Sequence, residues 1–103
     1  MTKIADIRKY ARKLAREFHP ERVLLFGSYA HGSATGDSDV DLLVIMNHDK
    51  SRNIEQSIAM QLRVAAPFPL DMLVKRPAEI ASRLSMNDMF LKTVIQDGYV
   101  LYG

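Results

Sequence analysis

Apolar residues near the N-terminus recur at steps of three and four, the period of a helix that buries one face. This set comprises Ile4, Ile7, Ala11, Leu14, Ala15 and Phe18. The pattern predicts an amphipathic helix over residues 3–18. The helix should end at His19-Pro20, because a residue before proline disfavours the helical conformation.

Short apolar runs further along the chain predict β-strands. Val23 to Phe26 ends at a glycine, and Val40 to Met46 is a longer run; both are typical of strands inside a sheet. Leu70 to Val74 predicts a third strand, and Tyr99 to Tyr102 a short edge strand.

Helical patterns separate these strands. Asn53 and Gln56 have the spacing of a capping box, and the residues after them predict a long helix that stops before Pro67. Its marker residues are Ile54, Ile58, Leu62 and Ala65. Proline is common in the first turn of a helix, so Pro77, followed by Glu79, predicts another helical stretch. That stretch should be capped again at Ser85 or Asn87 and run to Asp97-Gly98.

The order of elements predicts an α/β or α+β fold with a small sheet. A chain of 103 residues, 48% hydrophobic and 25% charged, can bury one core and leaves little surface for a second function. We therefore expect a single domain spanning residues 1–103.

Composition narrows the class of protein. The chain has no cysteine, which excludes a disulfide framework, a thiolate zinc site and a cysteine nucleophile. Charged residues interrupt the first helical segment throughout, so it predicts neither a signal peptide nor a membrane span. We expect a cytoplasmic protein.

The net charge of +2 is too small to indicate a nucleic-acid partner, but the cations are unevenly placed. Six of them lie in the first helical segment: Lys3, Arg8, Lys9, Arg12, Lys13 and Arg16. This face is either a phosphate-binding surface or simply the solvated side of an amphipathic helix.

Three aspartates lie in or next to predicted strands, where a strand that only builds a core needs no charged residue. Asp39 and Asp41 lie at the start of the second strand, and residues two apart in a strand point to the same face. Asp71 interrupts the apolar run of the third strand. If those two strands pair in a suitable register, the three carboxylates converge, and a bound cation would relieve their repulsion.

The available ligands are carboxylate oxygens, which favour a hard ion such as Mg²⁺ or Mn²⁺ over zinc. The spacing of Asp37, Asp39 and Asp41 imitates a calcium loop, but Leu42 and His48 stand where that loop needs glycine and glutamate. Magnesium held by few protein groups usually takes further ligands from substrate phosphates. The site therefore implies a nucleotide.

A Gly-Ser pair follows the first strand. Gly27 lets the backbone turn sharply and approach a ligand, and Ser28 offers a hydroxyl and an amide N–H to an anion. The segment is not a Walker A loop, because Ser33 occupies the position of the required lysine.

Taken in order, Gly27-Ser28, Asp39-Val40-Asp41 and Asp71 resemble the signature of the DNA polymerase beta-like nucleotidyltransferase superfamily. The stretch GSYAHGSATGDSDVDLLV and the short chain are similar to the minimal nucleotidyltransferases of prokaryotes, the antitoxin type encoded beside HEPN toxins. This resemblance implies the nucleotidyltransferase fold, a small mixed β-sheet flanked by helices.

The resemblance also implies roles for the residues. Asp39, Asp41 and Asp71 would be the catalytic metal ligands for two Mg²⁺ ions, with Asp71 also helping to activate the incoming hydroxyl. Gly27 and Ser28 would hold the phosphates of ATP, with His31 and Ser38 among the nucleotide-binding residues. Many family members have arginine where this chain has His31, and histidine is only partly charged at pH 7.

Two functions stay open. The chain either transfers AMP to a hydroxyl of a HEPN-type toxin or neutralises that partner by occlusion without catalysis. A polymerase or tRNA-type activity is disfavoured, because those enzymes need further domains to hold a nucleic-acid primer. Either a homo-oligomer or a hetero-oligomer is compatible with the sequence.

Overall fold

Five helices and four strands make up the computed structural model, which describes all residues from Met1 to Gly103. In chain order they are α1 (Ile4–Phe18), β1 (Arg22–Phe26), α2 (Ser28–His31), β2 (Val40–Ile45), α3 (Asn53–Arg63), β3 (Leu70–Lys75), α4 (Pro77–Ser85), α5 (Met89–Asp97) and β4 (Tyr99–Tyr102). None of the helices combines the length and the hydropathy that a membrane crossing requires.

The four strands form one mixed sheet in the order β3-β2-β1-β4. Strand β1 pairs antiparallel with both β2 and β4, whereas β2 and β3 are parallel. Parallel neighbours need a crossover connection, and α3 is that connection. The predicted fold, the interior position of β1 and β2 and the edge position of β4 are thus confirmed.

The sheet separates two apolar layers. On one face, Leu42 and Val44 of β2 pack with Leu14 of α1 and Met60 of α3. On the other face, a second core cluster joins the sheet to α4 and α5; its buried members are Leu24, Leu43, Ile45, Ile80, Leu91 and Val94. Side chains alternate along a strand, so Asp41 shares a face with Leu43 and therefore lies on the α4–α5 side.

The predicted start of α4 is confirmed. Pro77 is its first residue, and the Glu79 carboxylate accepts a hydrogen bond from the backbone N–H of Arg76 at 3.1 Å. The predicted cap of α5 was wrong: Asp88, rather than Ser85 or Asn87, accepts from the N–H of Leu91 at 3.0 Å. Asn87 instead has a left-handed backbone with φ of 59°, which ends α4.

The capping box predicted at the start of α3 was also wrong. Asn53 is already inside the helix, and its amide donates to the Glu79 carboxylate at 2.8 Å, tying α3 to α4. The helix ends at Arg63, before the predicted Ala65.

The predicted apolar face of α3 points outward. Ile54, Ile58 and Leu62 are 54%, 52% and 81% exposed. The residues that face the sheet are Gln56, Ser57 and Met60. The period of the pattern predicted the helix correctly, but it did not show which face of the helix packs on the core.

Candidate active site

The carboxylates of Asp41 and Asp71 sit side by side on adjacent strands. Each is the second residue of its strand, and the parallel register of β2 and β3 pairs them directly. Adjacent strands lie only about 4.8 Å apart, and paired residues of a parallel ladder point to the same face. The structure therefore has the register that the sequence required for convergence.

Asp39 lies one residue before β2 begins, two positions from Asp41. Its negative charge reaches Asp41, as does that of Asp71. Partial burial is the largest cause that raises the pKa of Asp41, followed by the charges of Asp71 and then Asp39. Asp41 is consequently the electrostatic centre of the three acids.

Gly27, the residue directly after β1, packs against the carboxylate of Asp41. It follows Phe26, the residue paired with Asp41 across β1 and β2. Its φ of 73° and ψ of −152° belong to a region that side chains other than hydrogen avoid. A Cβ atom at this position would overlap Oδ2 of Asp41 and lie 3.0 Å from its Cγ. Only glycine fits between the turn and the carboxylate.

Ser28 begins α2 directly after this glycine. The carbonyl of Gly27 accepts the N–H groups of Ala30 and His31, both at 3.1 Å. The first amides of a helix have no acceptor within the helix, so those of Ser28 and Tyr29 are available to a ligand. The backbone thus presents donors beside the carboxylates.

His31 and Ser38, the other two predicted nucleotide-binding residues, lie in separate surroundings. His31 is the last residue of α2, is exposed, and lines a cavity together with Gly27. The hydroxyl of Ser38 accepts a hydrogen bond from the N–H of Thr35 at 2.9 Å and lines another cavity beside Asp6. The nucleotide-binding roles of His31 and Ser38 stay predictions.

The three carboxylates offer the kind of ligand that suits a hard divalent cation. Asp39, Asp41 and Asp71 supply oxygen ligands, and the glycine leaves room for the Asp41 carboxylate. As the side chains stand, no three acidic or histidine side chains are close enough together to bind one ion jointly. The three carboxylates would have to move closer together to bind one metal jointly.

A cavity of about 210 Å³ lies between α2 and α5, next to Gly27. Phe26 and Phe90 form part of its wall, with ring centres 5.6 Å apart in an edge-to-face arrangement. Thr93 and Asp97 are also among its lining residues, but the surface that faces the cavity is almost entirely apolar. No motif in the sequence marks Thr93 or Asp97 as lining residues. Phe90 is half-exposed.

The raised pKa of Asp41 predicts how stability depends on pH. In the pH interval between 3.8, the ordinary pKa of an aspartate, and the raised pKa of Asp41, the native state binds more protons than the unfolded chain. This carboxylate therefore destabilises the fold as pH rises. Asp41→Asn should therefore be at least as stable as the wild type at pH 7, with the advantage vanishing below pH 3.8. Urea unfolding of both proteins across this interval measures the effect, and a less stable variant at pH 7 would contradict it.

The family comparison agrees with this geometry. Residues 7–100 match the family model for the nucleotidyltransferase domain. The chain belongs to the nucleotidyltransferase domain family and is a nucleotidyltransferase. The resemblance noted in the sequence is thereby confirmed.

One protein of related sequence and two solved structures are similar to this chain. The chain is 29% identical over 82 residues to a Methanocaldococcus jannaschii protein named "Putative protein adenylyltransferase"; the match covers 80% of this chain and 78% of the relative. A "putative nucleotidyltransferase" structure from Sulfolobus solfataricus has a TM-score of 0.62 at 24% identity, covering 93% of this chain and 76% of that one. A structure described as "the toxin-antitoxin with AMP-PNP" has a TM-score of 0.61 at 23% identity, covering 93% and 73%. The two solved structures share the fold.

Proposed function

We propose that this chain transfers AMP from ATP to a hydroxyl of a partner protein, and that the partner is a HEPN-type toxin which the transfer neutralises. The observation that carries the proposal is the in-register pair of Asp41 and Asp71, with Gly27 seated against Asp41. The name of the Methanocaldococcus relative supports protein adenylylation. The toxin-antitoxin structure holds AMP-PNP, an ATP analogue, and supports both ATP as donor and a toxin as partner.

In this proposal Asp39, Asp41 and Asp71 hold two Mg²⁺ ions, or Mn²⁺ in their place. Nucleotidyltransferase domains typically use divalent metals, and carboxylate oxygens are suitable ligands. The ions would neutralise the charge that develops on the attacking and leaving oxygens of an in-line displacement.

The chain's own residues bind and orient the reactants. Gly27 and Ser28 bind the β- and γ-phosphates of ATP through backbone N–H groups and the Ser28 hydroxyl, with His31 nearby. Asp71 accepts the proton of the acceptor hydroxyl. The acceptor oxygen then bonds to the α-phosphorus, the bond from that phosphorus to the β-phosphate oxygen breaks, and pyrophosphate leaves.

The acceptor must supply much of its own binding surface, because this chain is small. Met86, Met89 and Phe90 are exposed, and Phe90 lines the cavity beside Gly27. Methionine adapts to irregular apolar surfaces. The basic face of α1 is a second contact surface in this proposal. A protein acceptor suits the exposed Met86, Met89 and Phe90 better than a nucleic acid does.

The decisive experiment incubates the purified chain with Mg²⁺, ATP labelled at the α-phosphate, and the product of the adjacent reading frame. Intact-mass analysis should show the partner gaining the mass of AMP. A partner that is bound and inhibited without any gain in mass, even in excess ATP, would support the alternative of a non-catalytic antitoxin that acts by occlusion.

Metal and nucleotide should stabilise the fold. A ligand that binds only the native state raises the free energy of unfolding by about 2.7 kcal/mol at a hundredfold excess over its Kd. Thermal melts with Mg²⁺ and ATP should therefore lie above melts in EDTA, and Asp41→Asn should lose most of this shift. Superimposable wild-type curves over a wide range of concentrations would contradict a metal-nucleotide site.

A further inference from the structure

Four cations of α1 lie on the side of that helix that borders β4. They are Arg8, Lys9, Arg12 and Arg16. The four fall within an arc of about 100° around the helix, because each residue advances by about 100°. All of them are exposed, and none belongs to an ion pair of the chain. Their positive charge is therefore available to a ligand.

Strand β4 forms the second wall of a groove along α1. A cavity of about 430 Å³ has Arg8 and Tyr99 in its wall, and another of about 550 Å³ has Arg12 and Tyr102. The helix and the strand thus run in the same direction, with the early turns of α1 beside the start of β4. We call this surface the basic groove. It comprises Arg8, Lys9, Arg12, Arg16, Tyr99 and Tyr102.

A β-bulge turns both tyrosines toward the groove. Tyr99 pairs with Leu25 and Tyr102 with Val23, two β1 residues in the core cluster on the α1 side of the sheet. Paired residues share a face, so both tyrosines also lie on that side. Residues three apart in a regular strand point to opposite faces, but the register shift makes Leu101 an extra residue and re-aims Tyr102. The two tyrosines are 55% and 40% exposed.

The outer edge of β4 has no strand beside it. This strand is the last in the sheet and pairs only with β1. No backbone hydrogen bond outside the sheet involves Tyr99 to Tyr102. The free N–H and C=O groups of an edge strand can pair with one further extended strand. The basic groove therefore offers main-chain partners as well as positive charge.

We infer that the basic groove binds an acidic, extended segment of the acceptor protein, which adds a strand to the outer edge of β4. Arg8, Arg12 and Arg16 follow one another at about 6 Å along the helix, and alternate residues of a strand are about 6.6 Å apart. Acids at every second position of the segment can therefore meet the arginines in turn. Arginine and carboxylate form short, charge-assisted hydrogen bonds, often two per pair.

Other occupants suit the groove less well. Pairing β4 with the β4 of a second copy would bring two sets of cations together, and like charges oppose association. A nucleic acid could contact the arginines and stack on the tyrosines, but it has no peptide groups to pair with the edge strand. An acidic peptide strand uses both features.

The groove leads toward the candidate active site. His31 lines the cavity that contains Arg8 and Tyr99, and it also lines the cavity beside Gly27. A segment in the groove would hold the rest of its protein near the turn that binds ATP in the proposed function. Naming the bound protein as the acceptor rests on that proposed function, whereas binding of the segment does not.

Fluorescence anisotropy tests the groove without ATP or Mg²⁺, so its outcome is independent of the transfer reaction. The probe is a labelled peptide in which four glutamates alternate with threonines, titrated with the chain up to about 1 mM. Arg12→Glu should weaken binding by about tenfold or more, because it places a like charge in the groove. Lys13→Glu is the matched control: it makes the same charge change outside the groove, and screening by salt should keep its effect within about threefold.

N-methylated peptides test the added strand. The N–H groups of alternate residues in a strand point to the same edge, so those of the four glutamates all point toward β4 or all point away. Methylating the glutamate amides and methylating the threonine amides should therefore have unequal effects, with one peptide losing binding and the other keeping it. In the transfer assay, Arg12→Glu should raise the partner concentration needed for half-maximal transfer, whereas Lys13→Glu should not.

Several results would overturn the inference. Absence of peptide binding, or equal weakening by Arg12→Glu and Lys13→Glu, would show that the groove is not the site. Equal affinity of the two N-methylated peptides would exclude strand addition. Tighter binding of a single-stranded oligothymidylate of the same charge would identify a nucleic-acid surface instead. Unchanged partner dependence of transfer by Arg12→Glu would show that the acceptor docks elsewhere.

Discussion

Replacing Asp41 by asparagine should slow nucleotide transfer by on the order of a thousandfold without unfolding the protein. The carboxylate is the centre of the three acids and pairs in register with Asp71. A metal contributes several kcal/mol of charge stabilisation to the transition state. Because each 1.36 kcal/mol corresponds to tenfold in rate, losing the ligand that holds the metal accounts for this magnitude.

Transfer of labelled AMP measures this effect under saturating Mg²⁺ and ATP. Asp39→Asn should cause a comparable loss, since Asp39 is the acid two positions away. Asp37→Asn is the matched control: it is exposed and stands outside the paired strands, so its activity should stay near that of the wild type. Near-normal transfer by Asp41→Asn would show that the metal-ligand assignment is wrong.

Gly27→Ala should impair both stability and activity. The backbone conformation, with φ of 73° and ψ of −152°, costs a residue with a side chain about 1–3 kcal/mol. The added methyl group also overlaps Oδ2 of Asp41, so the carboxylate must move away from its position beside Asp71. The activity loss should therefore exceed what the fraction of unfolded protein explains.

Gly32→Ala separates these two effects. Gly32 has nearly the same φ, 74°, but a Cβ atom there would meet nothing within 4 Å. This variant should lose stability through backbone strain and yet keep most of its activity per folded molecule. Urea unfolding and label transfer, measured on both variants, give the comparison. Equal specific activities of the two folded variants would show that the contact between Gly27 and Asp41 is unimportant.

Local patterns in the sequence were sufficient to predict the elements. The period of apolar residues distinguishes helices from strands, and glycine or proline marks their ends, so the predicted order agrees with the structure. The acids of the second and third strands were conspicuous for a physical reason: a strand that only builds a core has no use for a charge. Gly27-Ser28 was recognisable because a turn that closely approaches a ligand requires glycine.

Only the tertiary structure decided how these parts meet. The register of β2 and β3 places Asp41 beside Asp71, and a slip by one residue would have sent one of the two to the opposite face. The packing of α5 on β1 forms the cavity beside Gly27 from residues distant in sequence.

The outward face of α3 could not be read from its sequence. The regular spacing of Ile54, Ile58 and Leu62 marks a stripe, but periodicity does not say what covers it. Orientation depended on a hydrogen bond from Ser57 to a carbonyl on β3, a partner that only the folded sheet provides. Sequence thus determined which chemistry the chain carries, whereas long-range pairing decided which groups face each other and which apolar surface stays exposed.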